Sequence, residues 1–235
     1  MSARPILLKL SGEALKGEAD GPFDLTIIDR VCAEVVAGVE AGRQVAIVVG
    51  GGNIIRGATL ADHNDDPTAG DYMGMLATLV NSLALRDGIL RAGGRASVIA
   101  PHQIPNVCRQ YDRGEVMKLL IAGEVVIFGG GTGHPFLTTD TTAALRAAEI
   151  EASAVLKGSK VDGVYDKDPA RHSDAKRFDS LTFDEAIAGR YAVMDQTAFT
   201  LCRDRGVAIR VFAMTEPGSI TAALGDNPPG TIIGA

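Results

Sequence analysis

Apolar runs that break abruptly into glycine alternate along the chain with segments whose apolar residues return every three or four positions. That alternation predicts buried parallel strands joined by helices that cover them. The spacing places strands at 6–10, 45–49, 96–100, 125–128, 154–157 and 208–212, and an edge strand at 231–233. Asp24 is placed to N-cap a helix that carries Leu25, Ile28, Val31, Val35 and Val39 on one face and is closed by Gly42. A long helix over 72–91 turns Met75, Leu76, Leu79, Val80, Leu83 and Leu90 toward the core and ends before Gly93. Shorter helices follow at 112–122, 141–150, 195–205 and 216–224, and the capping box Thr182-Phe-Asp-Glu185 opens another that ends near Gly189. The stretches 13–22 and 61–70 are polar and without period, so both read as loops, the first of them mobile.

Composition narrows this α/β reading. A chain of 235 residues, 46% hydrophobic, can bury a substantial core, and one compact domain spanning 1–235 is expected. The net charge of −6 and a pI near 5.2, with no basic run, argue against a protein that binds nucleic acid through non-specific phosphate contacts. Cys32, Cys108 and Cys202 are odd in number and far apart, which points to buried thiols rather than disulfides or a zinc site. The first strand starts within five residues and no apolar run reaches membrane-spanning length, so a cytoplasmic location without membrane contact is expected.

The candidate chemistry lies where strands open into glycine. Val49 runs into Gly50-Gly-Gly-Asn53 and Arg56, Leu10 into Ser11-Gly12, and Phe128 into Gly129-Gly-Gly-Thr-Gly133. Glycines at strand ends bring backbone N–H groups close to phosphate oxygens, and open parallel sheets carry their ligands at that edge. A plain strand-to-helix turn is the alternative for any one such loop. Lys9, inside an apolar strand, either meets an anion or snorkels to the surface. Asp71 either N-caps the long helix or accepts hydrogen bonds from a sugar hydroxyl. Residues 129–140 hold the longest run of ligand-type composition and end on Asp140 at a helix start. In 158–169, Tyr165 can wall a base, Asp168 can accept from a ribose and Lys160 can meet phosphate, although a solvated loop accounts for the same charges. No P-loop or dinucleotide glycine motif is present, and no carboxylate cluster offers a metal cage. What remains suits phosphoryl transfer by positioning and charge neutralisation, with the acceptor unnamed.

The segments 8–14, 50–57, 70–77, 131–140 and 160–169, taken in order, resemble the amino-acid-kinase family, and Gly70-Asp-Tyr-Met-Gly-Met-Leu-Ala77 with Thr132-Gly-His-Pro-Phe-Leu-Thr-Thr-Asp140 resembles its UMP-specific branch. The resemblance implies a three-layer αβα sandwich on an open, mainly parallel sheet, with the acceptor in the N-terminal part and ATP in the C-terminal part. It implies transfer from MgATP to UMP in pyrimidine nucleotide synthesis, with magnesium riding on the phosphates. Lys9, Leu10, Ser11, Gly12, Gly52 and Arg56 would hold the ATP phosphates, and Ser159, Tyr165 and Asp168 the adenosine side. Gly51, Asp71, Thr132, Gly133, His134, Pro135, Phe136, Leu137, Thr138 and Thr139 would hold UMP. Lys9 and Asp140 would be catalytic, Asp140 orienting Lys9, Lys160 or the magnesium shell. A homohexamer with GTP and UTP as effectors is also implied. Two departures stand out: residues 17–22 differ from the turn that relatives link to GTP activation, and His134 and Leu137 stand where an asparagine and an aromatic are common. A relative that phosphorylates a carboxylate or carbamate, and a non-catalytic storage protein on the same fold, are the alternatives.

Overall fold

The computed structural model describes residues 4–55, 66, 68–191 and 193–234. Among the described residues nine strands form one sheet: β1 (Ile6–Leu10), β2 (Val45–Val49), β3 (Ala96–Ala100), β4 (Arg109–Gln110), β5 (Val125–Phe128), β6 (Ala154–Ser159), β7 (Ser180–Leu181), β8 (Ala208–Ala213) and β9 (Thr231–Ile233), in the order β4-β3-β5-β2-β1-β6-β8-β9-β7. All neighbours pair in parallel except β8 with β9. The six main strands fall where their apolar runs put them. β9, expected at the edge, is covered on its outer side by β7. The two-residue strands β4 and β7 are too short to carry an alternation, so the pattern of the chain does not announce them.

The described helices are α1 (Gly12–Lys16), α2 (Leu25–Glu40), α3 (Ala69–Arg91), α4 (Arg113–Ile121), α5 (Thr139–Glu149), α6 (Phe183–Ala188), α7 (Gln196–Arg205) and α8 (Ser219–Ala223). They form two layers because successive strand residues face opposite ways. Leu7 and Val155 pack toward α4, α5, α6 and α7, while Leu8, Leu10 and Leu156 pack toward α2, α3 and α8.

Local signals account for most helix ends. Asp24 accepts from Thr26 N and Ile27 N, Thr182 and Glu185 complete the capping box, and Gly206 closes α7 in the left-handed region. Three expectations are corrected. The segment after Ser11 begins with the short helix α1, whose Leu15 is fully buried. The last helix starts only at Ser219. In α3, Leu79 is buried but Leu76, Val80 and Leu90 are about half exposed, and the face against the sheet is built from Ala77, Thr78, Asn81, Ser82, Leu85, Gly88 and Ile89. Small and polar residues let α3 approach the sheet closely, so its most apolar stripe faces outward. All three cysteines are buried free thiols, and burial pushes those of Cys32 and Cys202 up to about 12. Among the described residues no helix is long and apolar enough to cross a membrane.

Candidate active site

β1 and β6 pair in parallel with Lys9 opposite Lys157. Residues opposite one another in a ladder share a face, so both lysines leave the sheet on the α5 side. The first turn of α5 lies there. Thr138 caps it, accepting from Asp140 N at 3.0 Å and Thr141 N at 3.3 Å, and a carboxylate in a first turn is favoured by the helix dipole. Asp140 is thereby set between the lysines: Lys9 Nζ lies 2.6 Å from its Oδ1, and Lys157 Nζ donates to Oδ2 at 2.7 Å and Oδ1 at 2.8 Å. The three side chains are 8%, 14% and 15% exposed, so the charges interact in a largely dehydrated setting. Burial alone would raise the Asp140 carboxyl, but the two ammonium groups outweigh it and hold it below its ordinary range. Burial, followed by repulsion from Lys9, lowers Lys157 to about 8.

Two cavities open at the C-terminal edge of the strands, the first reaching Thr139 beside Asp140 and the second reaching Ser159, two residues beyond Lys157. The first is an open cleft of about 550 Å³ between the β2 glycines, the start of α3 and the loop before α5. Gly51, Gly52, Asp71, Leu137, Thr138 and Thr139 line it, as do Gly74, Met75, Thr78 and Gly131. The approach of α3 leaves no room for a side chain at 51, where a Cβ would come within 2.8 Å of Gly74 O. Asp71 is the third residue of α3 and no cap; Thr68 precedes the helix, and Asp71 Oδ2 instead accepts from Phe136 N at 2.8 Å. That bond holds the loop before α5 to α3, with Phe136 at a φ of 67° and 73% exposed. The N–H groups of Gly130, Gly133, His134 and Phe136 all have protein acceptors, so this loop presents fewer free donors than its composition suggests.

The second cavity, of about 970 Å³, lies between α1, α2 and the ends of β6 and β8, and its walls include Glu13, Gly17, Arg30, Ser159, Lys160 and Met214. Gly52 and Glu13 bring the two cavities together, since a Cβ on Gly52 would sit 3.7 Å from the Glu13 side chain.

The structure brings Lys9, Asp140, Gly51, Gly52, Asp71 and Leu137–Thr139 to one edge, with Ser159 at the second cavity. Leu10 is buried in the core, Ser11 precedes α1 without a side-chain cap bond, and Gly12 starts that helix. Thr132 is buried with its hydroxyl bonded to His134, and Gly133 abuts Pro101 and His102 behind the cleft. Pro135 is partly covered within the same loop. Tyr165 donates to Asp162, while Asp168 accepts from Ala170 N and pairs with Arg171, so both are engaged within their own loop. Arg56 lies outside the described residues. Lys160 lines the second cavity, and the lysine that Asp140 holds besides Lys9 is Lys157. Lys157 was legible by the argument applied to Lys9, a cation inside an apolar strand. Asp195 gave no such signal: it caps α7 and also accepts from the hydroxyls of Thr138 and Thr141, tying α5 to α7. Among the described residues no group of three His, Cys, Asp or Glu is placed to hold a metal ion, and both Asp140 oxygens face ammonium groups.

A mainly parallel sheet with glycine loops and a paired-lysine cluster at its C-terminal edge suits a phosphotransferase, and residues 4–213 match the model of the amino acid kinase family, to which the chain belongs. Among particular proteins, it is 49% identical over 233 residues to the uridylate kinase of Xanthomonas campestris pv. campestris, covering 99% of this chain and 97% of that one. The crystal structure of UMP kinase from Bacillus anthracis superposes with a TM-score of 0.93 at 34% identity, covering 99% and 96% of the two chains. That of UMP kinase from Ureaplasma parvum gives 0.92, also at 34% identity, covering 99% of each chain.

Proposed function

We propose that the chain transfers the γ-phosphoryl group of ATP to UMP, giving UDP and ADP. The observation that carries this reading is the Lys9–Asp140–Lys157 cluster at the same sheet edge as a cleft lined by Asp71, Thr138 and Thr139 and a second cavity lined by Ser159 and Lys160. UMP occupies the first and ATP the second. A phosphate oxygen of UMP attacks the γ-phosphorus as the bond to the β–γ bridging oxygen breaks, and the electron pair leaves with ADP. The attacking oxygen is ionised at neutral pH, so no general base is needed. Catalysis is then positioning and neutralisation of charge on the moving group, the task of Lys9 and Lys157. Asp140 fixes the spacing of the two ammonium groups and does not touch the phosphoryl group, which it would repel. Magnesium arrives with ATP on its phosphates. The similarity to uridylate and UMP kinases supports UMP as acceptor.

The outward apolar stripe of α3, Tyr72, Leu76 and Val80, supports a subunit contact within a homohexamer. GTP and UTP are its proposed effectors, with the altered segment 17–22 bearing on the GTP response, and the cytoplasm is its proposed location. Purified protein with MgATP should release ADP with UMP, and not with CMP, aspartate, acetylglutamate or carbamate. Equal turnover with an amino acid would overturn the choice of acceptor, and binding of nucleotides without turnover would favour a storage relative.

A further inference from the structure

The connection from β8 to α8 is held in an unusual way. Met214 is buried against β6, where a Cβ on Gly158 would meet its Sδ at 2.6 Å, and Met214 N donates to Ser159 O. From Thr215 to Gly218 every residue is exposed, and Ser219 is only partly buried with its hydroxyl enclosed, so hydrophobic packing does not fix this stretch before Ile220. Polar contacts from α2 take over. The Arg30 guanidinium donates to Met214 O and Glu216 O, each at 3.0 Å. The largely buried Glu34 carboxylate pairs with Arg30 at 3.1 Å and accepts from Gly218 N at 2.9 Å, Ile220 N at 2.8 Å and Thr221 N at 3.2 Å. Both carboxylate oxygens are used, and a bond to an ionised acceptor is about twice as strong as a neutral one. Met214 and Thr215, the start of this clamped stretch, form one wall of the larger cavity; Glu34 is not among the residues that line it.

We propose that Glu34, acting through Arg30 and the backbone of 214–221, is a positioning residue that sets affinity for the donor nucleotide without touching it. This rests on the larger cavity being the ATP site. Glu34→Gln keeps the shape but replaces one acceptor oxygen with an amide that faces N–H donors, and it removes the charge that Arg30 meets. Titration calorimetry on the full chain should show ATP binding weakened about five- to tenfold and UMP binding changed less than twofold. KM for ATP should rise in parallel, with turnover at saturating ATP within about threefold. Amide hydrogen exchange across 214–221 should accelerate in the variant, and in the wild type ATP should slow it. If Glu34→Gln does not fold, Arg30→Lys, which cannot span both carbonyls, should weaken ATP about threefold. Unaltered ATP affinity in a folded variant, or no slowing of exchange at 214–221 when ATP binds, overturns the inference alone. A wild-type protein that binds UMP but no ATP overturns the donor reading and the inference with it.

Discussion

Replacing Lys157 by methionine separates a catalytic cation from a structural one. The cluster carries two ammonium groups and one carboxylate, so Lys157→Met takes it from a net charge of +1 to zero while Asp140 keeps Lys9 at 2.6 Å. Stability should therefore hold or rise, because a cation 14% exposed is replaced by an apolar side chain of similar length and no buried charge is left alone. Turnover should not hold. A well-placed donor to the developing charge in a water-poor site is worth roughly 3–4 kcal/mol, and at about 1.4 kcal/mol per decade that is two to three orders of magnitude in kcat. KM for UMP should move less than about threefold, since the interaction strengthens mainly in the transition state. Asp140→Asn is the contrasting arm: it leaves two buried ammonium groups without their shared anion, which should cost about 3–5 kcal/mol of stability as well as turnover. The assay is ADP release at saturating ATP and UMP, read beside thermal unfolding by circular dichroism. A Lys157→Met protein within tenfold of wild-type kcat would refute the catalytic assignment, and a large drop in its melting temperature would make the lysine structural.

The lowered Lys157 makes a prediction in pH: kcat/KM should fall as pH rises through about 8, because the free enzyme loses the ammonium there. Stability should move the opposite way, rising from about pH 8 toward the ordinary lysine value near 10.4, since across that window the unfolded chain binds the proton that the folded chain has released; a pH–activity profile flat to pH 10 would sink both statements. Asp71→Asn can still accept from Phe136 N but loses its charge, and should cost about 1–2 kcal/mol, roughly a tenfold rise in KM for UMP with KM for ATP unchanged; an unaltered UMP constant would leave Asp71 only the loop contact. Leu76→Glu, at a position 57% exposed on α3, should dissociate the assembly, and light scattering that gives a monomer mass for the wild type at micromolar concentration would refute the subunit contact.

How much of this was legible follows from what each signal depends on. Strands β2 and β5 are continuous apolar runs buried on both faces, and β1 and the first half of β6 are apolar apart from one lysine each, so hydrophobicity announces all four. The caps Asp24 and Thr182 work within three residues of themselves, so local sequence suffices. The inward face of α3 was misread because its apolar residues are turned outward, and the period of a helix does not say which surface it serves. A helix start at Tyr72 makes a cap one of the two readings of Asp71, but the helix starts at Ala69 and the bond Asp71 makes, to Phe136, spans 65 residues and has no local signature. Lys9 stands out as a cation inside an apolar strand, whereas Lys157, read as the last residue of the strand 154–157, is given no role although the same argument applies to it.

The register between β1 and β6 turns that oversight into an argument about the site. Parallel pairing that sets Lys9 opposite Lys157 is unfavourable in itself, since like charges directly across a ladder repel and both are poorly hydrated. A single carboxylate removes only half of the imbalance. The residual positive charge persists at the one sheet edge where glycine loops keep side chains out of the way, so the cluster is best compensated when a further anion enters. In the proposed reaction a substrate phosphate supplies that charge on binding. On the same proposal the moving phosphoryl group supplies it again at the transition state, between two ammonium groups that Asp140 has already placed, so little reorganisation would remain at the moment of transfer. The same reasoning explains why Asp140 stands in the first turn of a capped helix: the carboxylate must hold its position when the anion arrives, and Thr138, itself tied to Asp195, fixes the backbone from which it projects.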